Sequence, residues 1–348
     1  MRKFKFAALA VGISLMLTAC DPPMPESLLV EIAEQNIQCE NGTVDVSVPH
    51  AAAELTSTWL DAMTISCEAM SFETVADGEE AAIVMSADAP KNCTPFVSTP
   101  FSIDAAVFAT NVAEGATINL NAQIIEGILG GSITKWNDAQ IIEANPDFEL
   151  PATPVKLVTE SPAAAITSMG SWLATLGAEL PSGSLTASDK DPQEILNNLE
   201  DGSIALVAYS ESLLFGATLA NILIGSDTYA DAVVPGLDTI TSASTQWVIT
   251  KTEKAVAVAL DPKLEPVAPE GSDEAPLPYQ AIFPIFMNLC GEDTTLVRTV
   301  GRYFLRQDQQ GVLATSTMIP LTEKLRIAGA TLVAKGLPTP TPAELPAE

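Results

Sequence analysis

Residues 123–138 read Gln-Ile-Ile-Glu-Gly-Ile-Leu-Gly-Gly-Ser-Ile-Thr-Lys-Trp-Asn-Asp. The apolar spacing in residues 123–129 predicts a helix. An apolar strand is predicted before this stretch, at residues 105–110. After it, a strand is predicted at residues 155–158 and a helix at residues 163–176. The stretch therefore lies inside an alternation of strands and helices, which indicates a layered α/β fold.

The same alternation extends toward both ends of the chain. Further strands are predicted at residues 43–48, 81–85, 204–208 and in the apolar segment 279–289, and further helices at residues 51–63, 193–199 and 295–308. Residues 262–278 are rich in proline and acid, which predicts an exposed loop within the fold. Prolines beyond Lys335 predict a disordered, extended tail over residues 335–348.

Several motifs, in the same order along the chain, resemble those of the phosphate-binding proteins of bacterial ABC transporters. Residues 123–138 with the following Asn-Pro at 145–146 resemble that family's "I-F-x-G-K-I-T-K-W-N-D" segment. Residues 86–90 resemble its "S-D-A-P" loop, and residues 202–210 its "G-x-I-G-Y-V-x-Y-S" strand. Residues 303–321 are similar to its C-terminal helix and closing loop, so the resemblance covers about residues 39–334.

The resemblance implies a two-lobed, periplasmic-binding-protein-like fold of type II, in which each lobe is a mixed sheet flanked by helices. Residues 39–106 and 282–334 would form lobe 1, and residues 107–281 would form lobe 2. In this family the chain passes between the two lobes twice. The division follows from placing those two crossings at residues 105–111 and 279–285. For Trp136 we expect a role in packing rather than in ligand contact.

The resemblance also implies a ligand cleft built from four loops. A desolvated phosphate needs converging donors, which are N–H groups at helix N-termini, hydroxyls and an arginine. Ser86 and Asp88 match one loop, in which the family's aspartate accepts a hydrogen bond from a protonated phosphate oxygen. The family's glycine-rich first loop corresponds to residues 47–52, where no glycine remains and His50 falls near the donor position.

The other two loops depart further from the family pattern. Residues 68–85 are too few for a strand, a glycine loop and a helix, which indicates a deletion. In the fourth loop Glu160 stands where the family has arginine, and Thr167 lies on the following helix. Ser161 fits either a hydroxyl donor or a cap of the helix that begins after Pro162. A carboxylate facing an anion costs several kcal/mol, so tight phosphate binding is not expected.

The first twenty residues have the pattern of an export signal. Arg2, Lys3 and Lys5 precede an apolar stretch at residues 6–17, which is shorter than the ~20 residues that span a bilayer. Residues 17–20 read Leu-Thr-Ala-Cys, which fits a lipobox with acylation of Cys20. We therefore expect a lipoprotein signal peptide at residues 1–19, a membrane tether at residues 20–38, and a folded body at the outer face of the cell membrane.

Acylation of Cys20 leaves an even number of the five cysteines for disulfides. In an exported chain without a CxxC motif, wide spacing favours disulfides over a metal site. We expect Cys93 to pair with Cys290, because both fall in lobe 1, and Cys39 with Cys67, because they flank one strand–helix unit. The alternatives are Cys39 with Cys93 or with Cys290.

Composition narrows the partners and the chemistry. Forty-four acidic residues against 16 basic ones give a formal net charge of −28, which excludes nucleic acid as a partner. A solvated acidic surface accounts for most of this charge. The single histidine, His50, cannot anchor a zinc site alone. The sequence contains no GxSxG or HExxH motif, so we expect no enzyme, no metal and no cofactor.

Two functions are compatible with these features. The first is a solute-binding lipoprotein that acts as a monomer, closes on a small molecule and delivers it to an ABC permease. With Glu160 and Asp88 toward the cleft, a cation, an amine or a polar neutral molecule suits such a site better than phosphate. The second is a ligand-dead relative that serves as a membrane-tethered sensor, scaffold or assembly partner.

Overall fold

The computed structural model describes residues 25–34, 37–76, 79–224, 232–269 and 271–338. The predicted signal peptide and the predicted lipid anchor at Cys20 lie outside these residues, as does the part of the predicted tail beyond Pro338. Within them, no helix has both the length and the apolarity needed to cross a membrane.

Helices and strands alternate along the described chain as the sequence predicts. The strands are β1 Gly42–Ser47, β2 Met70–Val75, β3 Ile83–Ser86, β4 Val97–Asn111, β5 Asn119–Asn121, β6 Lys156–Val158, β7 Glu160–Ser161, β8 Thr186–Ala187, β9 Ser203–Ala208, β10 Thr218–Leu219, β11 Asn221–Leu223, β12 Ala232–Val233, β13 Trp247–Lys251, β14 Val256–Leu260 and β15 Ile282–Leu289. The helices are α1 Glu26–Glu34, α2 His50–Ser66, α3 Ala122–Leu129, α4 Ala139–Ala144, α5 Ala163–Thr175, α6 Pro192–Asn197, α7 Tyr209–Leu214, α8 Leu237–Ser244, α9 Thr295–Phe304, α10 Gln307–Leu313 and α11 Glu323–Val333.

A mixed sheet in the order β2-β1-β3-β15-β4-β9-β6 organises the fold, with β10 added to β4. Strand β4 changes partner along its length. Residues up to Ala105 pair antiparallel with β15, and residues from Ala106 onward pair antiparallel with β9. Helices α5, α7, α8 and α11 pack on β4. Because both faces are covered, β4 is a nearly continuous buried run, as expected for a strand with no solvated side.

The segment between α2 and β3 is short, as the sequence indicates. Strand β2 lies there and pairs parallel with β1. Described residues 68–76 and 79–82 contain no helix before β3. The described part of this segment therefore does not contain the further glycine loop and helix that the family has between its first helix and the "S-D-A-P" loop.

The helix predicted at residues 295–308 is wrong in its length, because two helices, α9 and α10, occupy that region. Arg306 separates them with an extended backbone (φ −62°, ψ 149°), which cannot continue a helix. The Gln307 N–H at the start of α10 donates to the Glu34 carboxylate, 3.1 Å away. This contact joins residues far apart in sequence, so local periodicity gives no sign of the break.

The tether predicted at residues 20–38 is also partly wrong. Residues Glu26–Glu34 form α1, which packs against α11. Glu34 forms an ion pair with Arg326 of α11, and both side chains are largely buried. At the other end, Leu337 is buried, so the tail predicted from residue 335 is packed where it begins.

Two disulfides close the fold, in the pairing predicted from the sequence. Cys39 pairs with Cys67, with their Cα atoms 5.2 Å apart. Cys93 pairs with Cys290, with their Cα atoms 5.7 Å apart and 197 residues between them in sequence. The second bridge fixes the loop after β3 to the end of β15.

Trp136 is a core residue, as expected from the sequence. Its side chain is fully buried, and its Nε1–H donates to the Gly202 carbonyl at 2.9 Å. Gly202 has a φ of +81°, and a Cβ atom there would lie 2.7 Å from the Pro154 carbonyl oxygen. The tryptophan and the glycine therefore fix the loop before β9 against the loop before β6.

Candidate functional site

A cleft of about 450 Å³ opens where β4 changes partner. Its walls come from the loop after β3, the loop at residues 188–192, the first turn of α7 and the middle of β15. A volume of this size is in the range of small-molecule sites. The structure therefore places a ligand-sized space beside β4, at the point where its pairing changes from β15 to β9.

Asp104 lies on the wall of this cleft, on β4, next to the position at which that strand changes partner. Its side chain is 1% exposed. Its Oδ1 accepts hydrogen bonds from the N–H groups of Ala105 (2.8 Å) and Ser210 (3.1 Å). Its Oδ2 accepts from the Ser210 hydroxyl at 2.5 Å. Burial raises the pKa of Asp104 to about 6, and the bonds from Ser210 and Ala105 oppose this shift.

The raised pKa of Asp104 predicts a pH-dependent stability. The folded state binds this proton more tightly than the unfolded chain, whose pKa is near 3.8. The stabilisation by protonated Asp104 is therefore complete below about pH 3.8 and is lost as the pH rises through about 6. An Asp104→Asn variant keeps a neutral side chain, so we expect it to gain up to about 3 kcal/mol over the parent between pH 4 and pH 7.

Urea unfolding of both proteins at unit steps of pH measures this difference. Glu143→Gln, at an exposed position on α4, is the matched control. A difference between parent and Asp104→Asn that does not change with pH would contradict the proposed titration.

Glu211 places a second carboxylate at the cleft, on the first turn of α7. Its side chain is 4% exposed, and its Oε1 accepts the Ala51 N–H at 3.1 Å. Ala51 belongs to the first turn of α2, and Pro49 before that helix makes no side-chain cap. A helix N-terminus attracts anions because its first N–H groups have no partner within the helix. Here the carboxylate of Glu211 occupies the position at the start of α2 where an anion would otherwise bind.

The cleft is strongly acidic overall. Its lining includes six carboxylates, from Glu79, Glu80, Asp88, Asp104, Asp189 and Glu211, and two lysines, Lys91 and Lys190. Both lysines form ion pairs, Lys91 with Asp189 and Lys190 with Glu160 and Glu194. Burial raises the pKa of Asp88, and the nearby charge of Asp189 raises it further. The arginines of the described chain all lie between Arg298 and Arg326, and none lines the cleft.

Of the residues predicted for the site, Ser86 and Asp88 line the cleft. The Ser86 hydroxyl donates to the Asp88 carbonyl at 2.6 Å, so it holds the shape of its own loop. His50 begins α2 beside the cleft, with Nδ1 3.6 Å from a carboxylate oxygen of Asp191 and its ring edge against Phe215.

The predicted residues of the fourth loop lie behind the cleft wall. Glu160 pairs with Lys190 at 3.3 Å, and it is Lys190 that reaches the cleft. The Ser161 hydroxyl is buried without a hydrogen-bond partner among the described residues, and α5 begins after Pro162 with no side-chain cap. The interpretation of Ser161 as a cap is therefore wrong. Thr167 donates to the Ala163 carbonyl at 2.9 Å within α5.

The sequence interpretation missed Asp104, Glu211 and Lys190. Asp104 carried a usable signal, because it is the charged residue within the apolar run that forms β4. A charge in a strand buried on both sides needs partners and marks a functional candidate. Glu211 carried a similar signal, because it is the one charged residue in the mainly apolar segment 202–226. Lys190 gave no comparable signal, since it lies in a polar stretch and reaches the cleft only through tertiary packing.

The fold and the cleft together define a mixed α/β binding protein built around a ligand-sized space. Comparison with known proteins agrees. Residues 80–305 match the family profile described as the PBP superfamily domain. The chain therefore belongs to the PBP superfamily. Within the described residues, no group of three or more histidine, cysteine or acidic side chains is arranged to hold a metal ion.

Curated relatives match only a short part of this chain. A stretch of 67 residues, 19% of the chain, is 36% identical to the phosphate-binding protein PstS of Xylella fastidiosa strain Temecula1. The match spans 18% of that protein's length. This similarity is local and does not extend to the whole relative.

Solved structures match over most of the chain. One is a putative phosphate ABC transporter substrate-binding protein from Clostridium perfringens, with a TM-score of 0.51 and 11% identity over 81% of this chain and 100% of that one. Another is the high-affinity periplasmic phosphate-binding protein PfluDING, with a TM-score of 0.54 and 13% identity over 85% of this chain and 94% of that one. At these identities the likeness shows a shared fold.

Proposed function

We propose that this chain is an extracytoplasmic solute-binding lipoprotein, held at the outer face of the cell membrane by lipid on Cys20, whose cleft takes a cationic or polar neutral solute. The observation that carries the proposal is the acidic lining of the cleft, with both of its lysines already in ion pairs. A positive or hydrogen-bond-donating ligand gains from such a field, and an anion loses.

The proposed mechanism is closure of two lobes on the solute. Residues 39–106 with 282–334 form lobe 1, and residues 107–281 form lobe 2. The change of partner on β4 after Ala105 supports this division, as do contacts across the cleft from Lys91 to Asp189 and from Ala51 to Glu211. An ABC permease is the partner that would take the solute, as the likeness to transporter-associated binding proteins suggests.

Asp88 offers the clearest test of this function. Calorimetry of the delipidated mature protein with primary amines, guanidinium compounds and their uncharged analogues should identify a solute that binds. Asp88→Asn should then weaken a cationic solute about tenfold or more, because it removes one charge-assisted hydrogen bond. Glu143→Gln, the exposed control on α4, should leave the affinity unchanged. An equal loss in both variants would contradict binding in this cleft.

A second candidate is a ligand-dead scaffold or sensor. The observation in its favour is the Glu211 carboxylate at the start of α2, where the protein supplies an anion to its own helix. The two candidates predict different results in the same calorimetry. If no cationic or polar neutral solute produces saturable heat, the receptor function is contradicted and the second candidate is favoured.

A further inference from the structure

The segment at residues 188–192 follows β8 and forms part of the cleft wall. Residues 188–191 have no helical structure, and three of them are charged in succession, namely Asp189, Lys190 and Asp191. In an extended chain, successive side chains point in opposite directions. The sequence of this segment therefore places two carboxylates on one side and an ammonium group on the other.

The two aspartates reach the opposite wall of the cleft. Asp189 forms an ion pair with Lys91, which lies in the loop after β3. A carboxylate oxygen of Asp191 lies 3.6 Å from Nδ1 of His50, at the start of α2. In the proposed division, Lys91 and His50 belong to lobe 1, and residues 188–192 belong to lobe 2. One short segment therefore makes two contacts from lobe 2 to lobe 1.

The lysine between the two aspartates holds the segment to its own lobe. Lys190 Nζ lies 3.3 Å from a carboxylate oxygen of Glu160 and 3.2 Å from one of Glu194. The Ser188 N–H also donates to the Ser161 carbonyl at 3.0 Å. Because the segment is fixed on lobe 2 by these contacts, the contacts of its aspartates can transmit force between the lobes.

The lysine on the opposite wall is held in place and lies among carboxylates. Lys91 is two residues before Cys93, which the disulfide joins to Cys290 at the end of β15. Burial raises the pKa of Asp88, Asp189 raises it further, and the charge of Lys91 lowers it. Lys91 therefore offsets the repulsion between a carboxylate of lobe 1 and a carboxylate of lobe 2.

We propose that residues 188–192 form a charged strap that holds the cleft shut when no solute is bound. The six carboxylates that line the cleft repel one another, and this repulsion favours separation of the walls. The ion pair between Lys91 and Asp189 opposes the separation. The inference rests on the lobe closure of the proposed function, and it adds a contact that regulates access to the cleft.

The Ala51 N–H reports this closure without any solute. It donates to the Glu211 carboxylate on the other side of the cleft, whereas the Ala52 N–H donates to the Pro49 carbonyl beside it in sequence. Opening of the cleft therefore exposes the Ala51 amide and leaves the Ala52 amide protected. Hydrogen exchange of the delipidated mature protein, followed by NMR, measures the opening at each amide.

Charge reversal is the test of the strap. Lys91→Glu and Asp189→Lys each replace the attraction by repulsion, so each should speed exchange of the Ala51 amide about threefold or more. The double variant restores the ion pair with its charges reversed, so its exchange should return toward the rate of the parent. Lys324→Glu, at an exposed position on α11 outside the cleft, is the matched control and should change nothing.

Salt gives a second measurement on the same variants. At about 0.5 M NaCl the difference between parent and Lys91→Glu should shrink, because salt screens exposed charges. Unchanged Ala51 exchange in both single variants would overturn the strap, as would a double variant that exchanges as fast as the single ones. Equal acceleration at Ala51 and Ala52 would indicate fraying of α2 and would also overturn it. These measurements need no solute, so calorimetry tests solute binding separately.

Discussion

Inorganic phosphate is expected to bind the mature protein no more tightly than about 1 mM, at least a thousandfold weaker than a micromolar ligand. Carboxylates that face an anion cost several kcal/mol, and each missing charged hydrogen bond removes roughly 1.5 to 3 kcal/mol. Here Asp88, Asp104 and Glu211 line the cleft, and no arginine of the described chain reaches it. Outside the cleft, Lys156 pairs with Glu200 at 2.7 Å.

Glu211 should be a main cause of this weakness. Glu211→Gln removes a negative charge from the start of α2, while the amide oxygen can still accept the Ala51 N–H. We expect phosphate to gain about tenfold in affinity, because one carboxylate no longer repels the anion. Calorimetry at low salt measures this gain, with Glu143→Gln as control. Micromolar phosphate binding by the parent protein would contradict the first expectation, and an unchanged affinity in Glu211→Gln would contradict the second.

The Glu160→Arg variant tests the alignment of the fourth loop. The resemblance places Glu160 at an arginine position, but the side chain pairs with Lys190 behind the cleft wall. An arginine there would repel Lys190 instead of pairing with it. We therefore expect less gain in phosphate affinity from Glu160→Arg than from Glu211→Gln. The reverse order would show that the loop at residues 160–167 reaches the ligand after all.

Trp136→Ala should destabilise the fold by about 3 to 5 kcal/mol, because it empties a fully buried volume. That loss is a large share of the 5 to 15 kcal/mol that typically stabilises a protein. Trp136→Phe keeps most of the volume and loses the bond to Gly202. The Gly202 carbonyl still accepts from the Lys156 N–H at 2.9 Å, so this change should cost only about 1 kcal/mol.

Urea unfolding of the disulfide-bonded protein measures both losses. The pair of variants separates packing from hydrogen bonding at one position. A cost of Trp136→Ala below about 1 kcal/mol would contradict its place in the core, and equal costs for both variants would show that the Nε1–H bond dominates.

Much of the architecture was predictable because it follows from local periodicity. The buried runs that form β4 and β15, and the apolar face of α2, appear in the sequence as strand and helix patterns. The motif at residues 123–138 then orders these elements into a known type of fold. The Cys93–Cys290 disulfide followed from that order, since Cys93 lies in the loop between β3 and β4 and Cys290 directly follows β15, the strand that pairs with both.

The candidate site was less predictable, and the reason is physical. Ser86 and Asp88 belong to a motif and were found. By contrast, the Glu211 carboxylate accepts a hydrogen bond from the Ala51 N–H, 160 residues away in sequence. The Glu160 carboxylate pairs with Lys190, 30 residues away. Electrostatic partners are set by distance in space, which no local pattern encodes. For the same reason the sequence predicts a tether where α1 forms, because the ion pair between Glu34 and Arg326 joins residues that are 292 positions apart.

The sequence by itself determined the export signal pattern, the order of strands and helices, the acidic charge and the absence of the glycine-rich loop, because each is a property of composition or short-range spacing. Only the tertiary structure decided which carboxylates line the cleft, and that the start of α2 is occupied by Glu211. These arrangements depend on packing between distant segments, where burial and charge pairing act across space.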